Sequence, residues 1–335
     1  MARNYLIDNT KYLMMFCVIF GHLIEPLIEK DTLIKSIYLS IYSFHMPAFV
    51  IMSGFFAKSE LKSEYISKIV YNLLIPLMVF TVFYEMFDLL VEGKISSYTR
   101  NLQPYWILWF LFSLILWKLF IPIILKFKYP VVLSVVIALL AGYAGSIGYF
   151  LGLSRTIYFF PFFVAGYKLI PSYLSMIKFK SNSVPYIIVS VTIILLNLSF
   201  FFNFNEIDQR WLYGCCAYEQ LGSYGLMAAI IRSILYVISF ISVLAIFILI
   251  PNQEIPISRK GRNSLYAYVW HGIIVKILFS MGVIYTIGNL NEIVSLFLLF
   301  FISVLLMTTL STNILKEKTE KFILQPIRNL LLIRS

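Results

Sequence analysis

The chain has 335 residues, 60% of them hydrophobic and 13% charged, with a formal net charge of +11. Charged residues are about half as frequent as in a soluble domain, which excludes a soluble enzyme, a disordered chain and a secreted disulfide scaffold. About 200 apolar residues suit roughly ten helical spans of ~20 residues, and their long continuous runs differ from the ten-residue alternation of a membrane barrel.

Taken in chain order, the apolar runs predict spans at 11–29, 36–57, 66–91, 105–125, 130–150, 156–171, 184–203, 225–250, 264–287 and 291–315. Ala141-Gly142-Tyr143-Ala144-Gly145 loosens the fifth, and the sixth is short. The first run has no small-residue cleavage site and holds His22, so it reads as a span and not as a cleaved signal. The expected architecture is an all-α, polytopic membrane helical bundle of about ten transmembrane helices, without internal repeats. It divides into a transmembrane domain over 1–318 and a segment 319–335, where Phe, Ile and Leu alternate with Lys and Arg as in a basic cytoplasmic tail or a short interfacial helix.

Charge sets the orientation. With the N-terminus inside, 17 of the 27 Lys and Arg fall in inner segments, six in outer ones and four within spans. That bias predicts cytoplasmic N- and C-termini and explains +11 without nucleic acid. The acids Glu25, Glu29, Asp31, Glu85, Asp88, Glu92, Glu206, Asp208 and Glu219 fall on or near the outer side. They read as solvated loop residues or as the lining of an outward polar vestibule. Cys17, Cys215 and Cys216 offer neither a disulfide framework nor zinc spacing, and no Gly-rich phosphate loop, HExxH or Cys/His cluster appears, so neither a metal nor a permanently bound cofactor is expected.

All three histidines, His22, His45 and His271, fall within predicted spans. Ionisable groups there are costly and face the bundle interior or a wet cavity. His22 follows Lys11 by eleven residues, about 16 Å along a helix. Lys11 then sits near the cytoplasmic rim and His22 at or beyond mid-membrane, a spacing suited to one long ligand with an anionic head. Neutral imidazole is a suitable general base for a hydroxyl. The same pair also reads as a snorkelling lysine and an interhelical histidine hydrogen bond. His45 lies about 14 Å into the second span, beside a Ser43 carbonyl that Pro47 frees from its helical partner. His22 and His45 are thus at similar depths, as two groups facing one pocket require. Ser53-Gly54 suits close helix packing.

Five motifs then stand in order between residues 3 and 272. They are Asp8-Asn9-Thr10-Lys11 with His22 after ten further residues; Phe44-His45-Met46-Pro47 with Ser53-Gly54-Phe55-Phe56; Trp106-Ile107-Leu108-Trp109-Phe110-Leu111; Arg155-Thr156-Ile157-Tyr158-Phe159-Phe160-Pro161-Phe162-Phe163 with Gly166-Tyr167; and Gly261-Arg262-Asn263-Ser264-Leu265-Tyr266-Ala267-Tyr268, ending at His271. Together they resemble the integral-membrane acyltransferase-3 family, and in particular its fucose 4-O-acetylase-like branch. The resemblance implies an O-acetyltransferase of the cell membrane. Its donor would be cytoplasmic acetyl-CoA or another acyl-CoA, and its acceptor a sugar hydroxyl of a surface or exported polysaccharide. Expected partners are acyl-CoA, the sugar or polysaccharide acceptor, the lipid bilayer and polysaccharide-synthesis machinery. His22 matches the family's essential histidine and Lys11 its basic partner. Lys stands where many members have Arg, and delivers a point charge without a bidentate fork.

Other intramembrane charges carry two readings each. Arg155, at the outer mouth of the sixth span beside Tyr158, orients a sugar or thioester carbonyl, or anchors the interface. Arg232 and Lys276 lie deep in the eighth and ninth spans, where they pair with an acid or line the cavity. Glu85 and Asp88 share a helix face and are candidate partners for these cations or for a sugar hydroxyl, as is Glu219 on the outer side. His271 joins this substrate-binding set. Arg259, Lys260 and Arg262 form a basic cluster that suits the phosphates of CoA or simply obeys the positive-inside rule. The competing function is a transporter or flippase for a lipid-linked sugar or small metabolite, for which internal repeats would be the usual sign. A sensor or scaffold that keeps the fold without the chemistry is a third reading.

Overall fold

Each predicted apolar run carries a helix in the computed structural model, which describes residues 4–145, 148, 150–169 and 183–332. These helices are α1 (Tyr5–Ile24), α2 (Thr32–Phe55), α3 (Ser63–Glu92), α4 (Trp106–Ile124), α5 (Pro130–Ala141), α6 (Leu153–Lys168), α7 (Val184–Asn203), α8 (Gly225–Leu249), α9 (Ser264–Ser280) and α10 (Glu292–Leu310). Among the described residues there is no strand. Seven helices, α1 to α4, α7, α8 and α10, are long and apolar enough to cross a membrane. The other three are shorter, with 12, 16 and 17 residues. The expected end of the sixth span, at 170–171, lies outside the described residues, as do Arg3, Lys178, Lys180 and Arg334 from the charge count.

The helix ends follow local chemistry. Asn4 accepts the Ile7 N–H (3.4 Å) at the start of α1, and Asp31 accepts the Ile34 N–H (2.9 Å) at the start of α2, each filling one of the donors a helix N-terminus leaves open. Gly93, at φ 70°, ends α3 with its N–H on the Leu89 carbonyl. Where α5 ends at Ala141, Tyr218 takes one carbonyl of its last turn and one just beyond it: its hydroxyl donates to Leu139 (3.0 Å) and its N–H to Gly142 (2.8 Å).

The chain divides into two units. The first comprises Met1–Phe49, Ser172–Leu212 and Ile234–Lys316. In it α1 packs against α9, α10 and the single turn Ser258–Gly261. On α7, Ile188, Val189, Leu195 and Leu196 are exposed while Ser190 and Asn197 are buried, the inside-out pattern of a helix whose outer face meets lipid. Asn197 engages both amide N–H groups and its side-chain oxygen. Its amide N–H groups donate to Ser43 and Ser242 (3.0 Å each), and its oxygen accepts from Ser40 (2.6 Å). One side chain thereby ties α2, α7 and α8 together.

The second unit comprises Val50–Pro171, Tyr213–Ser233 and Glu317–Ser335. Here the end of α2 meets α6 backbone to backbone. A Cβ at Gly54 would strike the Phe163 carbonyl, and one at Gly166 the Ile51 carbonyl, so the small residues in both motifs serve close helix approach. The last helical stretch runs from Asn313 through Leu331. In it the buried Arg328 donates to Glu320 and to the Tyr71 carbonyl (3.2 Å), with its guanidinium 3.8 Å from the Tyr71 ring.

Candidate functional site

The three histidines, 249 positions apart at the extremes, come together in the first unit. The His22 and His271 rings lie 5.7 Å apart and 27° from parallel. The Tyr42 ring stands 4.6 Å from His45, edge to face, and 6.4 Å from His22. Tyr42 is itself stacked on Tyr38 at 4.0 Å. Gly21 makes room for this ring, since a Cβ there would lie 3.0 Å from it.

Each imidazole is oriented by an acceptor on Nδ1. Nδ1 of His22 meets the Glu25 carboxylate at 3.0 Å, that of His45 the Ile41 carbonyl at 2.8 Å, and that of His271 the Tyr268 carbonyl at 2.6 Å. A carbonyl or carboxylate only accepts, so all three Nδ1 atoms carry the proton, and in the neutral rings Nε2 bears the lone pair. His45 and His271 are buried, whereas His22 and Glu25 retain partial exposure. The Glu25–His22 pair has the arrangement in which a carboxylate holds the imidazole and stabilises the imidazolium formed when Nε2 takes a proton. Glu25 and Tyr42 were not among the residues expected at this site. Both sit at i, i+3 from a histidine, and that spacing is the signal that marks them.

Lys11 lies half-buried on α1 in the field of Asp8, one turn before it. The turn bearing Arg259, Lys260 and Arg262 is fastened to this end of α1. Asn9 donates to the Pro251 and Gln253 carbonyls (2.8 and 3.1 Å) and accepts from Ser258 (2.6 Å). Arg259 and Arg262 are exposed, and Arg259 faces Glu254 at 3.5 Å. The four basic residues considered for the donor's phosphates are thus carried on elements packed together. Lys276 lies half-buried, five positions after His271 on α9.

The remaining candidates belong to the second unit. Arg155 lies 5.3 Å from the Trp109 ring and 5.8 Å from Tyr213. Arg232 is 2% exposed and sits between Tyr158 (5.3 Å) and Tyr218 (4.3 Å), donating to the carbonyls of Ala138 and Cys216. Aromatic faces and carbonyls supply the negative potential that was expected from an acid. Burial raises the Tyr218 phenol against the pull of Arg232, so the ring stays neutral. Glu85 accepts from the Ser96 N–H (3.1 Å) and from the Ser96 and Thr99 hydroxyls, stapling the turn after α3. Asp88 accepts from Tyr105 at 2.6 Å. Burial and then this carboxylate push the Tyr105 phenol well above its ordinary value, so it remains a donor. Glu219 is exposed at the start of a single turn, Glu219–Leu221.

Comparison with known proteins adds two matches. A family model described as an acyltransferase domain covers residues 4–312. The nodulation protein NolL of Sinorhizobium fredii is 28% identical over 122 residues, which is 32% of this chain and 33% of NolL; the match therefore spans about a third of that relative's length. No solved structure matches.

Proposed function

The chain belongs to the acyltransferase domain family, and from that premise we propose a multi-pass cell-membrane enzyme that moves an acyl group, acetyl by preference, from cytoplasmic acyl-CoA to a sugar hydroxyl of a surface or exported glycan. In this reading α5, α6 and α9 complete a ten-span bundle with both termini in the cytoplasm and 319–335 as a basic tail. The anionic part of CoA meets Lys11 and the turn with Arg259, Lys260 and Arg262. Its thioester arm runs along α1 for about 16 Å to His22.

The observation that carries the proposal is the 3.0 Å contact between Glu25 and Nδ1 of His22 within the histidine cluster. With Nδ1–H held by the carboxylate, Nε2 takes the proton from the acceptor hydroxyl as its oxygen attacks the thioester carbonyl. The tetrahedral intermediate collapses with cleavage of the carbon–sulfur bond. The departing thiolate recovers the proton from the imidazolium, leaving the ester and free CoA. Direct transfer with His22 as base makes use of Glu25, because a carboxylate favours the protonated ring. Tyr42 and His45 set the position of the His22 ring from α2.

The test is acetyl-CoA-dependent acylation by protein reconstituted in vesicles. His22→Ala is expected to lower turnover about a thousandfold while insertion and helix content persist. Normal acylation by a correctly inserted His22→Ala protein would sink the assignment.

A further inference from the structure

We propose that His271 binds the acceptor directly: its Nε2 receives the hydroxyl adjacent to the one that His22 deprotonates, so the acceptor is a vicinal diol. The inference rests on the acyl-transfer reading above and deepens it by naming the substrate class.

Three observations converge. His271 is 0% exposed, and its Nε2 is buried without a hydrogen-bond partner among the described residues. Its Nδ1 is already donating to the Tyr268 carbonyl at 2.6 Å, so Nε2 offers a lone pair and calls for a donor. The ring also lies beside His22, 5.7 Å away and only 27° from parallel, and His22 is held in the same tautomer by Glu25.

A buried acceptor left unsatisfied is costly, and such an atom in a native fold calls for an explanation. A thioester carbonyl, a carboxylate or a phosphate has nothing to donate to it. A lone alcohol serves His22 and leaves His271 unmet. Two hydroxyls on adjacent carbons serve both lone pairs at once. As the first oxygen is acylated, the second keeps its proton on Nε2 of His271 and fixes which hydroxyl faces the thioester. A site built to accept a hydroxyl discriminates strongly against the analogue that lacks it.

The experiment uses the full chain in vesicles, acetyl-CoA as donor, and cyclohexanol against cis- and trans-cyclohexane-1,2-diol as acceptors. For the wild type, kcat/KM for the better diol is expected to exceed that for cyclohexanol by about tenfold or more, beyond the statistical factor of two for two hydroxyls. In His271→Phe the ratio should collapse to that statistical factor. In His271→Gln, whose side-chain oxygen also accepts, part of the preference should return. Equal use of the diols and cyclohexanol by the wild type overturns the inference while the acyltransferase reading stands. So does a preference that survives in His271→Phe. Absence of acetyl transfer to any of the three overturns both. The wild-type comparison needs no variant to fold.

Discussion

Two buried polar clusters lie in the first unit, and they differ in what the protein leaves open. Around Asn197 both amide N–H groups and the side-chain oxygen each meet a serine from another helix. Around His22 and His271 the protein fills Nδ1 on each ring, and Nε2 of His271 has no partner among the described residues. A network whose buried groups all have partners joins helices. One with an unpartnered lone pair beside a carboxylate-held imidazole is, under the function proposed above, arranged for a substrate. Both use residue types that are costly in an apolar interior, so it is the accounting of hydrogen bonds that separates glue from site.

Of the substitutions that separate the two clusters, the largest effect is expected at Glu25. Glu25→Gln keeps a hydrogen-bonding partner beside His22 but loses the charge that stabilises the imidazolium, so kcat should fall about a hundredfold with little change in KM for acetyl-CoA. Steady-state kinetics in vesicles decide it, and a change in KM alone would move Glu25 from chemistry to binding. Asn197→Ala should do the reverse. Loss of its three bonds to serine hydroxyls should cost about 1–2 kcal/mol, seen as a lower unfolding midpoint in detergent, while turnover per folded molecule stays as in the wild type. Loss of turnover without loss of stability would place Asn197 in the active machinery and erase the contrast. The smallest effect is expected at Asp31, which caps α2 well away from either role: Asp31→Ala should lower stability by about 1 kcal/mol. Burial raises the Asp31 carboxyl, but the Ile34 N–H and the Glu292 side chain outweigh it and the net direction is down. The cap's contribution is therefore full above the ordinary aspartate range and fades as pH falls below it; thermal melts at pH 7 and pH 3 should show the variant's deficit shrinking.

Much of the helical order was legible, because a long apolar run leaves few alternatives in lipid. Helix lengths were less so. α5 ends at Ala141, where it meets Tyr218, 77 positions away, and no local pattern records that contact. Counting residues along two helices suggests that His22 and His45 face one place, and Tyr42 lies beside both rings. His271 joins them only because α9 packs on α1, a pairing that spacing does not encode. Glu25 looked like one acid among nine on the outer side. Its contact with His22 comes from the 3-10 turn Glu25–Leu27, which prolongs α1 and keeps residue 25 over the face that carries residue 22. For Arg232 the sequence offers an acid partner or a place lining a cavity; the side chain lies between two tyrosine rings, a solution that aromatic-rich sequences permit but do not announce.

The central claim is that Nε2 of His22 takes the acceptor's proton. It is tested most directly by measuring acetyl transfer from acetyl-CoA by inserted His22→Ala protein, with and without added imidazole. Near-complete loss of transfer is expected, with partial recovery as free imidazole fills the space left by the side chain. Transfer that proceeds at the wild-type rate without imidazole would contradict it.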